Sequence, residues 1–190
     1  MKKNLITAFL MTIATTILLG VLYPLLITVL AQVLFKDKAN GQLIVRNGEA
    51  IGSRIIAQPF TGAKYFHPRP SAAGNGYDAA NSGGTNLAPT NQKLIDRVQS
   101  DAKTLHEENP SQFIPVDLLT TSASGLDPDI TPAAAEFQVP RVARERGIQE
   151  SVLRDLVQKH TAQRELGLLG EARVNVLELN LALDDMTAKR

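Results

Sequence analysis

A run of 31 residues without a charged side chain, residues 5–35, constrains this chain more than any other feature. Lys2 and Lys3 precede the run, and Lys36 follows it. The hydrocarbon core of a bilayer is crossed by roughly 20 apolar residues, which rise about 1.5 Å each in a helix. We therefore predict a transmembrane helix over residues 5–30, with the rest of the run at the membrane interface.

A cleaved signal peptide is the alternative interpretation of an apolar N-terminal run. The hydrophobic region of a signal peptide is roughly 7–15 residues long and is followed by small residues at the cleavage site. Residues 5–30 are longer than that, and residues 31–35 become bulky where a signal peptidase needs small side chains. The sequence therefore favours an uncleaved anchor.

One side of the predicted span carries small residues at a spacing of four, namely Ala8, Thr12, Thr16 and Gly20. Small residues let another helix approach closely in lipid. Pro24 follows at the same spacing, and a proline inside a helix commonly bends it. We predict that these five residues form a docking face for another membrane helix, with a bend at Pro24. The alternative, that Thr and Ala are ordinary membrane filler, stays open.

The charge balance of the chain excludes one class of partner. Of its 20 basic residues, 18 lie beyond Lys2 and Lys3, against 19 acidic residues. Domains that bind nucleic acid show a basic excess, so we expect no nucleic acid. The chain has no cysteine, hence neither a disulfide framework nor thiolate metal ligands. Basic residues flank both ends of the span, so the positive-inside rule leaves its orientation open.

The first elements after the span are predicted from turn and capping signals. Asn-Gly at 47–48 favours a hairpin between strands at 43–45 and 51–56. Residues 58–89 are rich in Gly, Pro, Asn and Ser and predict a long irregular segment. Apolar residues at helical spacing, after a capping Asn and before Asn-Pro, predict a helix over residues 92–108.

Further helices are predicted in the C-terminal half. The apolar run 116–121 is typical of a buried strand, and Thr131-Pro132 of the start of a short helix. A second helix is expected from Pro140 to Gly147 and a third over residues 149–160. A last helix over 176–186 follows Asn175, with Glu178 three residues on as in a capping box. The predicted fold class is α+β: one transmembrane helix, then a mostly helical domain with a small antiparallel sheet.

The sequence carries no common catalytic motif. It lacks the P-loop pattern, G-x-S-x-G and H-E-x-x-H, and its three histidines do not have the spacing of metal ligands. Two Gly- and Ser-rich loops could cradle an anion through backbone N–H groups, although the same composition also makes ordinary turns. The candidate residues in these loops are Ser82, Gly83, Gly84, Ser122, Ser124, Gly125 and Asp127. We expect no catalytic residue and no metal site.

Several motifs together resemble the C subunit of the Kdp-type potassium-transporting P-type ATPase, along nearly the whole chain. They include Tyr-Pro-Leu-Leu in the span and Tyr-Phe-His-Pro-Arg-Pro-Ser-Ala in the irregular segment. The matching stretches are residues 23–26, 60–62, 65–72, 82–87, 122–128, 130–132, 139–143 and 175–184. Because the chain lacks the D-K-T-G phosphorylation motif of P-type pumps, it is not expected to be the ATP-hydrolysing subunit.

The resemblance implies a non-catalytic accessory subunit in the cell inner membrane. Residues 1–4 would be cytoplasmic, 5–30 the transmembrane helix and 31–190 a periplasmic domain. The implied partners are a channel-like potassium-translocating subunit, a P-type ATPase subunit and a small stabilising membrane peptide. Such subunits are described as catalytic chaperones that raise the ATP affinity of the pump through a transient ternary complex, with no tightly bound cofactor. The alternative is a stand-alone, membrane-anchored periplasmic binding protein or enzyme.

Overall fold

The computed structural model describes residues 1–188, and the chain divides into two compact units. The first unit is Met1–Ile51, and the second begins at Gly52. Together they contain both helices and small antiparallel sheets, so the predicted α+β class is confirmed.

The first unit is dominated by one continuous helix, Lys2–Leu34, which is long and apolar enough to cross a membrane. It consists of α1 (Lys2–Thr15), a π-helical turn (Thr16–Leu22) and α2 (Tyr23–Leu34). None of the residues from 2 to 34 is buried. A short helix, α3 (Lys36–Ala39), follows.

The π-helical turn lies immediately before Pro24. Proline has no N–H to donate, so the carbonyl four residues earlier, that of Gly20, loses its usual α-helical partner. The turn instead uses the wider spacing of a π-helix, in which the Tyr23 N–H donates to the carbonyl of Leu18. The sequence did not predict this wider turn, and the bend at Pro24 stays a prediction.

The predicted hairpin is confirmed, with β1 (Leu43–Arg46) paired to β2 (Glu49–Ser53). Asn47 and Gly48 connect the strands with φ angles of 52° and 84°. Both values are positive, as a two-residue hairpin turn requires. The second strand begins and ends earlier than predicted.

The core of the second unit surrounds one helix, α5 (Pro132–Arg146), eight of whose residues are buried. It packs beside α6 (Glu150–Lys159), and α7 (Val176–Ala188) also contributes buried side chains. A three-stranded antiparallel sheet has the order β3 (Asp129–Ile130), β5 (Arg173–Asn175), β4 (Thr161–Ala162). Its register places Val174 opposite both Ile130 and Thr161. The largest fully buried side chains are Phe66, Phe137, Ile130, Leu153, Leu179 and Leu183.

Two predictions in this unit were wrong. The chain continues through Pro140 as a single helix, because the flanking Val139 and Arg141 are buried in the core and their packing outweighs the lost hydrogen bond. Residues 116–121 contain a 3₁₀ turn, Val116–Leu118, instead of a strand. Val116 is exposed there, while Asp117 is buried and accepts a 2.7 Å hydrogen bond from the Thr131 N–H.

Three further predictions of local structure in this unit are confirmed. Residues 58–89 have no regular structure beyond a 3₁₀ turn at Ala79–Asn81. The helix α4 (Gln92–Glu108) begins where the Asn91 side chain accepts a hydrogen bond from the Lys93 N–H. The Asn175 side chain likewise accepts from the Glu178 N–H at the start of α7, at 3.1 Å.

Candidate functional site

The two Gly- and Ser-rich loops singled out in the sequence lie against each other. The Gly83 N–H donates to the Ser124 carbonyl at 2.8 Å, and the Ser82 hydroxyl donates to the same oxygen at 3.0 Å. A Cβ on Gly84 would lie 3.1 Å from the Ala123 carbonyl oxygen. We call this arrangement the loop pair; it comprises residues 82–86 and 122–127.

Gly125 is the tightest point of the loop pair. Its φ is 66°, and a Cβ there would lie 2.7 Å from both the Ala73 nitrogen and the Gly83 carbonyl oxygen. The Ser71 hydroxyl donates to the Gly125 carbonyl at 2.6 Å. Both the backbone angle and the lack of space therefore require glycine.

The polar groups of the loop pair mostly bind one another. The Ser124 hydroxyl accepts from the Leu126 N–H at 3.1 Å and lies 3.4 Å from the Ser122 hydroxyl. The Asp127 carboxylate accepts from Arg69 at 2.9 Å and from the Asp129 N–H at 3.1 Å. These contacts support the interpretation of the loops as structural turns. The anion cradle stays a prediction.

The irregular stretch beside the loops, residues 65–70, is held by side-chain amides. The Phe66 N–H donates to Asn180 Oδ1, and Asn180 Nδ2 donates to the Phe66 carbonyl, both at 2.9 Å. Gln138 does the same to His67, accepting from its N–H at 2.7 Å and donating to its carbonyl at 3.1 Å. Each side-chain amide thus supplies the two backbone hydrogen bonds that a neighbouring strand would otherwise provide. We call this pair of residues the amide clamp.

Arg141 completes the attachment of this stretch. Its side chain is 7% exposed and forms an ion pair with Glu108 at 2.8 Å. The guanidinium also donates to the Tyr65 carbonyl at 2.9 Å and to Gln138 Oε1 at 2.7 Å. A charge this deeply buried is tolerated because it is paired and hydrogen-bonded.

The roles of the amide clamp and Arg141 were not predicted from the sequence. Gln138, Arg141 and Asn180 are polar residues within helices whose neighbours are mainly apolar. A polar residue on the core-facing side of an amphipathic helix is the signal that could have identified them. The backbone groups of residues 65–67 that they bind lie 71 to 114 residues away in the chain, so no local pattern gives this pairing.

A cleft of about 440 Å³ lies between the clamped stretch and α4. Burial is the main cause that lowers the pKa of His67 in its wall, and the nearby Arg141 charge lowers it further. Burial also raises the pKa of Tyr77 to about 12. The residues that line the cleft all lie in the described part of the chain, and none of them is lysine or arginine. The lining residues are Phe60, Thr61, His67, Pro68, Pro70, Tyr77, Asp101, Thr104, Leu105, Glu108, Leu118 and Gln138.

Acidic lining makes this cleft a poor site for a phosphate ligand. Asp101 and Glu108 would repel an anion, although each is paired with an arginine, Arg97 and Arg141 respectively. Across residues 1–188, no group of three or more His, Asp or Glu side chains is arranged to hold a metal ion. The polar side chains described above bind mainly groups of the second unit itself.

The predicted docking face lies along α1 and the π-helical turn. Ala8, Thr12, Thr16 and Gly20 are all exposed, and the Thr12 hydroxyl donates to the Ala8 carbonyl at 2.9 Å. A Cβ on Gly20 would meet only Thr16 Cγ2, at an ordinary 3.8 Å. Its own helix therefore does not require glycine at this position. Pro24 is the second residue of α2.

Comparison with known proteins gives a consistent result along the chain. Residues 5–185 match the model of a family described as "KdpC: K+-transporting ATPase, c chain". A protein of Koribacter versatilis named "Potassium-transporting ATPase KdpC subunit" is 72% identical over 97% of this chain and 95% of its own length. Proteins of the same name from Acidobacterium capsulatum and Rhodopseudomonas palustris are 57% and 55% identical, over 97% of this chain and 99% and 98% of their own lengths. The chain belongs to the KdpC family, the c chain of the K+-transporting ATPase.

Proposed function

We propose that this chain is a non-catalytic accessory subunit that assembles a potassium-transporting ATPase in the inner membrane. In this proposal Lys2–Leu34 crosses the bilayer with its N-terminus in the cytoplasm, and the second unit lies in the periplasm. Its partners are a channel-like potassium-translocating subunit, an ATP-hydrolysing P-type subunit and a small stabilising peptide. Family membership over residues 5–185 supports the assignment to the pump.

The observation that carries this proposal is the complete exposure of residues 1–30. The helix forms backbone hydrogen bonds within itself, but every side chain up to Leu30 is exposed. Small residues on one side would let a second membrane helix approach closely there. The docking face of Ala8, Thr12, Thr16 and Gly20 is therefore proposed as the contact with another pump subunit.

The proposed effect on ATP affinity is indirect. A periplasmic domain cannot touch cytoplasmic ATP, and the cleft of the second unit is lined by acidic rather than basic residues. The chain would instead act as a chaperone by binding one state of the complex more tightly than another, with its helix as the connection. The second unit would lie over the extracellular mouth of the potassium pathway and stabilise the assembly.

The docking face is tested by Gly20→Leu in the full pump complex. A leucine at this position is tolerated by its own helix, so a loss of assembly would report contact with another chain. Ala14→Leu is the matched control, because at about 100° per residue it lies opposite the docking face. We expect Gly20→Leu, but not Ala14→Leu, to release the subunit during purification in mild detergent. Unchanged assembly of Gly20→Leu would contradict the docking face, and recovery of the unmodified chain as a lone monomer would contradict the pump assignment.

The indirect route is tested by calorimetry on the full-length chain in detergent. We expect no binding when ATP is titrated into the isolated chain. In the assembled complex, Gly20→Leu should weaken the apparent ATP affinity in proportion to the subunit lost. Tight and specific binding of ATP to the isolated chain would show that the effect is direct.

A further inference from the structure

Three exposed leucines stand at a turn between β4 and β5. Leu166, Leu168 and Leu169 are 90%, 81% and 61% exposed. They cluster within four residues, whereas the large apolar residues of α5 and α7 are mostly buried. A cluster of this kind on the surface of a folded unit marks a contact with another apolar surface. We call residues 166–169 the leucine tip.

The leucine tip has a defined backbone conformation. The Glu165 N–H donates to the Leu169 carbonyl at 2.8 Å, and the Leu169 N–H donates to the Glu165 carbonyl at 2.9 Å. Leu166 has a φ of 54°, a left-handed conformation that disfavours leucine and suits glycine or asparagine. The turn therefore keeps a strained, exposed leucine that the fold of this unit does not need.

The linker between the helix and the second unit keeps the leucine tip close to any bilayer that the helix crosses. The helix Lys2–Leu34 ends only 17 residues before the second unit begins at Gly52. Those residues reach at most roughly 60 Å when fully extended, so a bilayer crossed by the helix stays within reach of the unit. Tethering over such distances gives effective concentrations in the mM range. Even a modest affinity for lipid would then keep the tip in contact with the membrane surface.

The composition of the turn fits lipid rather than a polar surface. The side chains of the tip are aliphatic, and the hydrogen bonds between Glu165 and Leu169 spare these groups the cost of entering hydrocarbon unpaired. Arg164 and Glu171 form an ion pair of 2.5 Å next to the tip. This pair would lie at the level of the headgroups when the leucines are inserted.

We propose that the leucine tip inserts into the bilayer surface and gives the second unit a second membrane contact. This inference rests on the proposed role of Lys2–Leu34 as a membrane anchor. The binding partner is the lipid itself, and the recognised chemistry is the boundary between headgroups and acyl chains.

Tryptophan fluorescence tests the proposal, because the chain contains no tryptophan. Leu168→Trp places a single reporter on the tip, and Phe113→Trp places one at a fully exposed position elsewhere in the same unit. Leu22→Trp, within the helix, reports on the anchor. Each full-length variant would be reconstituted without other subunits in phosphatidylcholine bilayers with or without brominated acyl chains, so that the introduced tryptophan is the only one present.

We expect Leu168→Trp to emit at shorter wavelength than Phe113→Trp and to lose most of its intensity in brominated lipid. Phe113→Trp should keep its intensity. Short-wavelength emission without quenching would place the tip in a protein pocket, and equal quenching at both positions would indicate unspecific contact with lipid; either result overturns the proposal. Quenching of Leu22→Trp without quenching of Leu168→Trp rejects the tip alone. An unquenched Leu22→Trp rejects the anchor and, with it, this inference.

Discussion

The helix Lys2–Leu34 and the clamped stretch at residues 65–70 differ in where their backbone N–H and C=O groups find hydrogen-bond partners. The helix is the longest of the described chain, and none of its residues is buried. The clamped stretch has no regular structure, yet it contains Phe66, which is fully buried. A helix pairs its own N–H and C=O groups, whereas an extended stretch without a neighbouring strand must obtain partners from elsewhere.

The difference shows where each region finds its contacts. The clamped stretch takes its partners from within the unit, from Gln138, Arg141 and Asn180. The side chains of the helix are exposed up to Leu30 and could contact lipid or another chain. Irregular backbone is therefore part of the packed core of the second unit, whereas the longest helix has its side chains exposed.

Removing one amide of the clamp should have the largest effect on the stability of the second unit. Asn180→Leu would leave both the N–H and the carbonyl of Phe66 buried without a partner. Each such group costs roughly 1–3 kcal/mol, so we expect the free energy of unfolding to fall by about 2–6 kcal/mol. Urea titration of the full-length chain in mild detergent, with pulse proteolysis as the readout, measures the change.

Gln158→Leu is the matched control for this variant. It also replaces an amide by leucine within a helix, but at an exposed position of α6. Its effect should stay within about 0.5 kcal/mol. If both variants unfolded at the same urea concentration, the amide clamp would not be holding residues 65–70.

A second prediction, of smaller effect, concerns the loop pair. Gly125→Ala would place a Cβ 2.7 Å from backbone atoms of Ala73 and Gly83 and force alanine into a φ of 66°. Overpacking of this kind costs roughly 1–3 kcal/mol. Gly83→Ala is the matched control in the same loop pair, since no atom lies within 4 Å of the added Cβ.

The measurement is again urea unfolding of the full-length chain. Gly125→Ala should be destabilised and more readily cleaved within residues 82–86, whereas Gly83→Ala should behave as the unmodified protein. Equal tolerance of alanine at both positions would show that the loops move independently. The loop pair would then resemble the mobile binding loop suggested by its composition more than a rigid turn.

The elements predicted correctly from the sequence are those that nearby residues specify. Asn47-Gly48 gave the hairpin, and Asn91 gave the start of α4. Gly147, with a φ of 62°, ends α5 as predicted. In each case the turn or cap is determined by residues within a few positions, so the chemistry of those residues is sufficient.

The structures that were predicted wrongly, or not at all, depend on residues far apart in the chain. Pro140 was expected to start a helix, but the burial of its neighbours in the core keeps α5 continuous. The apolar run 116–121 was expected to be a strand. Instead, the Asp117 carboxylate accepts a hydrogen bond from the N–H of Thr131, the residue before α5, and the run contains a 3₁₀ turn. The two Gly-rich loops were identified as separate candidates, and only the fold brings them together. Contacts between distant residues decide all three, and a local pattern does not contain them.

The smallest predicted effect distinguishes the clamped stretch from an exposed one by its response to pH. Burial and the nearby Arg141 lower the pKa of His67 below its ordinary value of 6.5. Because the folded state resists protonation of this ring more than the unfolded state does, stability is lost as the pH falls below 6.5 toward the folded-state pKa. His67→Gln should therefore reduce the dependence of the unfolding free energy on pH in this range. This substitution leaves the backbone of residue 67 available to Gln138.

His106→Gln, at an exposed position of α4, is the control. Parallel pH profiles for His67→Gln and the unmodified chain, measured by urea unfolding between pH 7 and about pH 5, would mean that the ring is accessible to protons in the folded state and that this part of the stretch opens to solvent.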